Sequence, residues 1–269
     1  MRSSLRAIAR LGLLAAWTVL LAPLQIVALL LGLRLAERIP VLYHRVFCRV
    51  IGLIVVKRGT VSKDRPTLFV GNHCSYLDIP VLGSLLPASF ITKAEVASWP
   101  IFGILAKMQR SVFVERRARL AARHRDSVKC RLEEGDNLVL FAEGTSNDGC
   151  QVLPFKSALF SVAEGEICGE PLTVQPLSIA YIGPQGRLAG AEWRRQYAYF
   201  GDDVLVPHLW HVFGLGRATV EVRFHPVVAV RSMASRKALS EFCYEVVAAG
   251  LADSLGAKGD GSARGAAVP

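Results

Sequence analysis

Two side chains able to move a proton between them stand five residues apart in this chain: His73 and Asp78, in Gly71-Asn72-His73-Cys74-Ser75-Tyr76-Leu77-Asp78. A carboxylate that accepts one imidazole N–H fixes the tautomer and leaves the other nitrogen open as a general base. The flanking residues supply elements that can hold such a pair. Thr67-Leu68-Phe69-Val70 is short, apolar and β-branched or aromatic, and it stops at Gly71, the pattern of a buried strand emptying into a turn. Pro80 suits the first turn of a helix, where its missing N–H costs nothing. His73 is therefore expected on a strand-to-helix loop, with Asp78 at the helix start. The same spacing also accommodates a structural histidine satisfied within its loop, and a base alone names no reaction.

A second strand-and-loop unit occupies residues 137–156. Asn137-Leu138-Val139-Leu140-Phe141 has the composition of a strand, and Glu143-Gly144-Thr145-Ser146-Asn147-Asp148-Gly149 is polar and bounded by glycine. Such a loop can turn backbone N–H groups and a glutamate toward a polar ligand, and it can equally be an ordinary turn. Between the two units, Ser111-Val112-Phe113-Val114 delivers Glu115-Arg116-Arg117 to a strand end. Arginine there can clamp phosphate or carboxylate. Arg117 can also simply open the solvated face of the basic helix that follows.

Taken in this order and spacing, the blocks resemble the glycerolipid acyltransferase family, which acylates 1-acylglycerol-3-phosphate and related lysolipids. Asn72-His73 with Asp78 is similar to the family's first block, Phe113-Val114-Glu115-Arg116 to its second, and Phe141-Ala142-Glu143-Gly144-Thr145 with Pro154-Phe155-Lys156 to its third. Val174-Gln175-Pro176-Leu177 is similar to the fourth, so the likeness covers about residues 50–230. It implies catalytic roles for His73 and Asp78 and substrate binding by Arg116, Glu143, Gly144, Thr145 and Lys156.

Three residues depart from the family pattern. Ala142 stands where proline is usual, Glu115 replaces the commoner aspartate, and Ser146 stands where many members carry arginine, which removes a phosphate contact. The stretch from Phe141 to Phe160 resembles the bacterial branch that acylates lyso-ornithine lipid. Tyr199-Phe200-Gly201-Asp202-Asp203 and Pro207-His208-Leu209-Trp210 point the same way. The resemblance thus implies lyso-ornithine lipid as the favoured acceptor, with 1-acylglycerol-3-phosphate as the alternative and both acceptors possible in some members.

The implied chemistry is direct acyl transfer from a thioester of acyl carrier protein or coenzyme A. No Gly-x-Ser-x-Gly elbow is present to support a serine acyl-enzyme. Cys74 reads as a small buried residue rather than a nucleophile. The acceptor hydroxyl attacks the thioester carbonyl as His73 removes its proton, Asp78 orients the ring, and backbone N–H groups near Gly144 or Thr145 meet the developing oxyanion. The scheme calls for no cofactor and no metal, and the His and Cys positions lack zinc-type spacing. A hydrolase, with water as acceptor, and a non-enzymatic basic membrane-binding protein are the rival classes.

Composition fits work at a membrane surface. The chain is 52% hydrophobic with a mean hydropathy of +0.35. From Leu11 to Leu33 it carries no charge, a run long enough to span a bilayer. Pro23 also allows a kink, or two short helices dipping into one leaflet. A cleaved signal peptide fits less well, because the run is long and lacks a convincing small-residue cleavage site. Arginine flanks both ends, so charge bias sets no orientation. A cytosolic acyl donor implies the bacterial inner membrane with the catalytic part facing the cytoplasm. The formal net charge of +10 suits anionic headgroups or an acidic carrier protein; no zinc knuckle, helix-turn-helix or aromatic interleaving indicates nucleic acid. The six cysteines show no paired spacing and read as reduced thiols.

Three parts are expected: membrane-associated helices over residues 1–52, an acyltransferase domain over 53–254 and a flexible tail over 255–269. Strand patterns fall at Leu53–Lys57, Thr67–Val70, Ser89–Thr92, Ser111–Val114, Leu138–Phe141, Thr173–Tyr181 and Ala218–Phe224. Helical patterns fall at Leu77–Leu86, Ala118–Glu134 and Met233–Ala252. Alternation of this kind predicts an α/β fold, a mixed sheet flanked by helices behind an N-terminal helical segment. Gly183–Gly216 does not resolve by periodicity.

Overall fold

In a computed structural model of the chain, which describes residues 3–114, 121–228 and 230–256, two N-terminal helices lead into an α/β unit. They are α1 (Ser4–Leu30) and α2 (Leu35–Ile51). The sheet strands are β1 (Leu53–Arg58), β2 (Thr67–Gly71), β3 (Ser89–Lys93), β4 (Val112–Val114), β5 (Leu138–Phe141), β8 (Thr173–Gly183) and β9 (Ala218–Phe224). A small hairpin, β6 (Glu166–Ile167) with β7 (Glu170–Pro171), precedes β8. The remaining helices are α3 (Asp78–Gly83), α4 (Phe102–Met108), α5 (Ala121–Glu133), α6 (Ala191–Arg195), α7 (Leu205–Gly214) and α8 (Arg236–Ser254).

The seven-stranded sheet runs β1-β9-β8-β2-β5-β3-β4. Every neighbouring pair is parallel except β8 with β9, so the sheet is mixed, as the alternation of elements predicts. β2 is buried along its whole length, as a central strand covered on both faces must be. The period-two alternation of strand side chains sorts the core into two layers. Phe69, Val139, Leu177, Ile179 and Tyr181 enter the layer shared with Ala7 and Leu14 of α1, Cys48 and Ile51 of α2, and Val212 and Phe213 of α7. Leu68, Val70, Leu138, Leu140 and Val174 enter the opposite layer, with Leu132 of α5 and Leu239 of α8.

Several boundaries differ from the sequence reading for physical reasons. α3 stops at Gly83 rather than Leu86, because Leu86 precedes Pro87 and a residue before proline avoids helical dihedrals. α8 starts at Arg236, where the Ser235 hydroxyl accepts the Ala238 N–H as an N-cap. The segment without periodicity holds the short helices α6 and α7. The first residues of the predicted helix 118–134 and most of the predicted tail lie outside the described residues.

α1 runs unbroken through Pro23 and is long and apolar enough, by length and composition, to cross a membrane. Its buried residues include Ala7, Leu14, Leu21 and Ala28, one narrow stripe recurring every two turns. The other faces stay bare, with Leu5, Val19, Leu20 and Leu30 each more than 60% exposed. The N-terminal end of the helix is tied down by charge. Arg6 donates to the carbonyls of Gly214 and Leu215, and Arg10 to those of Phe213 and Leu215, at 2.9–3.1 Å. These are the orphan carbonyls at the C-terminus of α7, where cations are favoured. Arg10→Ala should therefore cost about 1–3 kcal/mol in denaturant unfolding of the detergent-solubilised protein. A change below about 0.5 kcal/mol, the size of an ordinary surface substitution, would mean that the arginine does not secure α1 to α7.

Candidate active site

The site forms where two neighbouring parallel strands end. Gly71 of β2 and Phe141 of β5 stand opposite each other in register, so the loops that follow them rise side by side. The chain leaves β2 toward β3, on the far side of β5, and leaves β5 toward β8, on the far side of β2, so both loops lie over the same strand ends.

The first loop carries the proton-moving pair. His73 Nδ1 donates to Asp78 Oδ2 at 2.8 Å, which fixes the Nε2 lone pair as the basic position. Among the described residues Nε2 makes no hydrogen bond, and the side chain is 21% exposed while Asp78 is wholly buried. A buried carboxylate needs a full set of donors. The Cys74 and Ser75 N–H groups also donate to Oδ2, at 2.9 and 3.0 Å, and the Tyr181 hydroxyl donates to Oδ1 at 3.0 Å. Asp78, the first residue of α3, thus reaches back over the loop that precedes its helix and closes it. Below the pair, the His73 ring stacks on Phe141 with centroids 4.1 Å apart and planes 17° apart.

The second loop is fastened to the first by Glu143. Its Oε1 accepts the His73 N–H at 2.9 Å, and its Oε2 accepts from Asn147 Nδ2 at 2.5 Å and the Leu153 N–H at 3.2 Å. The Asn147 N–H returns a bond to the His73 carbonyl at 3.1 Å. Burial pushes the Glu143 carboxyl up to about 7, against the three N–H donors that pull it down. Gly144 sits at φ +68°, and a Cβ there would meet Lys156 Cδ at 3.1 Å and Nζ at 3.2 Å, so the Lys156 side chain lies over the glycine. The Gly144 N–H is already used, because it donates to the Phe141 carbonyl at 3.1 Å. Of the backbone N–H groups expected near Gly144 or Thr145, that of exposed Thr145 makes no such bond among the described residues.

Of the sequence-derived site residues, His73, Asp78, Glu143, Gly144, Thr145 and Lys156 therefore lie on or beside these two loops, while Arg116, with Glu115 and Arg117, lies outside the described residues. Cys74 is buried, and burial together with Asp78 pushes its thiol well up, as suits a packing residue. Sequence reasoning missed Tyr181, whose place in an apolar strand gave no polar signal. It also left undefined a third wall. Tyr199 donates its N–H to the Cys74 carbonyl at 2.8 Å, Tyr76 pairs with His208 Nδ1 at 3.0 Å, and Arg195 holds Asp203 with two bonds of 3.0 and 2.8 Å. Among the described residues no group of three or more His, Cys, Asp or Glu is arranged to hold a metal ion.

The two loops thus hold an oriented imidazole at the strand ends, and comparison with known proteins gives the class. The profile of the family described as Acyltransferase matches residues 44–180. The chain is 38% identical to a lyso-ornithine lipid O-acyltransferase of Rhizobium meliloti, over 96% of this chain and 89% of the relative. It is 42% identical to one of Brucella abortus, over 82% and 84%, and 31% identical to a 1-acyl-sn-glycerol-3-phosphate acyltransferase of Neisseria gonorrhoeae, over 76% of each. In structure it is similar to the 1-acyl-sn-glycerophosphate (LPA) acyltransferase of Thermotoga maritima, with a TM-score of 0.60 and 22% identity over 96% of this chain and all of that one. The chain belongs to the acyltransferase family and is an acyltransferase enzyme.

Two expectations follow from the geometry. Tyr181→Phe removes one donor from a buried carboxylate and should lower kcat/KM about tenfold while the protein stays folded, since one such bond is worth about 1.5–3 kcal/mol; unchanged kinetics would show that Tyr181 does not hold Asp78. Glu143 binds its proton more tightly in the folded chain than in the unfolded one. Its burial therefore withdraws stability as pH rises from about 4.5 to about 7. Glu143→Gln should gain on the parent by about 3 kcal/mol in unfolding free energy across that window, whatever its offset at low pH. A difference that does not vary with pH would refute the shift.

Proposed function

We propose that the chain transfers a fatty acyl group from an acyl thioester to the hydroxyl of lyso-ornithine lipid at the bacterial inner membrane. The observation that carries the chemistry is the 2.8 Å bond from His73 Nδ1 to a wholly buried Asp78. His73 Nε2 takes the proton of the acceptor hydroxyl as its oxygen attacks the thioester carbonyl, and Asp78 stabilises the imidazolium that forms. The C–S bond then breaks, and the imidazolium returns the proton to the departing thiolate. The Thr145 N–H meets the charge that develops on the carbonyl oxygen. Glu143, hydrogen-bonded on both carboxylate oxygens, holds the two loops together and serves as a positioning residue. Arg116, Gly144 and Lys156 are assigned to substrate binding, Lys156 as a cation above Gly144.

Four relatives bearing the name lyso-ornithine lipid O-acyltransferase, at 33–42% identity, support that acceptor. The alternative acceptor, 1-acyl-sn-glycerol-3-phosphate, is supported by the name of the Neisseria relative. The donor is a thioester of acyl carrier protein or coenzyme A. The bare apolar faces of α1 support attachment to the bilayer, since apolar surface of that extent on one element is paired with lipid or partner. The catalytic part faces the cytoplasm, where the acyl donor is made.

The test incubates membranes containing the protein with an acyl carrier protein thioester or acyl coenzyme A and each lysolipid in turn. The expected product is the ester of lyso-ornithine lipid, with His73→Ala slower by a factor of about 10²–10⁴ while remaining in the membrane fraction. Product from lysophosphatidic acid alone would replace the acceptor. Thioester cleavage that ignores added lysolipid would identify a hydrolase instead.

A further inference from the structure

The loop beyond Glu143 carries a charge that the acyl-transfer chemistry leaves unused. In Gly144-Thr145-Ser146-Asn147-Asp148-Gly149-Cys150-Gln151 the single ionisable acid or base that is charged at neutral pH is Asp148. Its position is fixed from both sides by the dipeptide that bears the base. Asn147 donates its N–H to the His73 carbonyl at 3.1 Å, and a Cβ at Gly149 would lie 3.3 Å from Cys74 Cβ. The residue between those two anchors cannot stray from the strand ends. The Cys150 N–H donates to Asp148 Oδ1 at 2.9 Å, and Oδ2 has no hydrogen-bond partner among the described residues. The nearby cation, Arg195, gives two side-chain bonds to Asp203 and lies 4.4 Å over the Phe200 ring, so Arg195, Asp203 and Asp148 together keep one net negative charge. Asp148 is therefore a half-exposed carboxylate on the loop fastened to His73, with one oxygen unpaired among the described residues, and Arg195, which it shares with Asp203, is the cation that feels its charge.

We infer that Asp148 receives the side-chain ammonium of an amino-acid headgroup on the acceptor and thereby selects against a phosphate headgroup. An ammonium carries three donors and one positive charge, the complement of an open carboxylate oxygen. A phosphate monoester brings up to two negative charges to the same carboxylate and is repelled by it, so Asp148 discriminates by sign against the opposite pull of Lys156 over Gly144. This assignment deepens the reading of lyso-ornithine lipid as acceptor and depends on it.

Asp148→Asn separates charge from shape, since the amide oxygen can still accept the Cys150 N–H and hold the turn. Initial rates would be measured in mixed micelles for lyso-ornithine lipid, for the same lipid acetylated on its side-chain amine, and for lysophosphatidic acid. For the variant, KM for lyso-ornithine lipid should rise about tenfold with kcat within about twofold, and KM for the acetylated lipid should not move. An equal rise for both lipids, or no rise for either, would overturn the assignment while the acceptor reading stands. Failure of the parent enzyme to acylate lyso-ornithine lipid at all would overturn both.

Discussion

A single buried negative charge organises this enzyme. Asp78 is withdrawn from water, and a carboxylate in that position persists only if protein donors replace the lost hydration. Five donors do so: the His73 ring, two backbone N–H groups of the loop it closes, the Cys74 thiol and the Tyr181 hydroxyl from the neighbouring sheet strand. Meeting that requirement bends the chain from Asn72 to Leu77 into one shape, starts α3 and presents the imidazole at the strand ends. The base is oriented as a by-product of satisfying the acid.

The second loop follows from the same logic one step out. Glu143 ties the His73 N–H to Asn147 and Leu153, so the loop that would meet the acceptor and the loop that carries the base share one hydrogen-bonded frame. Phe141 completes it from below, with its ring under the imidazole and Phe90 beyond at 6.3 Å. A polar network over an aromatic stack restricts both the position and the tilt of the catalytic ring.

Much of this was legible in the chain because the relevant signals are local. Strands such as Thr67–Gly71 and Leu138–Phe141 announce themselves by short apolar runs ending at polar or glycine-bounded loops, and His73, Asp78 and Glu143 sit immediately after them. The partners that cross the sheet were not legible. Tyr181 belongs to a continuous run of buried residues in β8, and nothing in that run marks its hydroxyl as a donor 103 positions away from Asp78. The use of the Gly144 N–H inside its own turn was hidden for a related reason, since a positive φ selects glycine without revealing where the N–H points. Short helices such as α6 and α7 were lost because elements of 5 and 10 residues span too few turns for a period to emerge.

The pairing of Gly71 with Phe141 has one further consequence. Adjacent strands in a sheet are held about 4.8 Å apart by their backbone ladder, whatever their side chains. The spacing between the loop that carries His73 and the loop that carries Glu143 is therefore ruled by the lattice of the sheet and not by the loops themselves. Loop sequence can then drift, trading one headgroup preference for another, while the distance that chemistry demands is inherited unchanged from the backbone beneath.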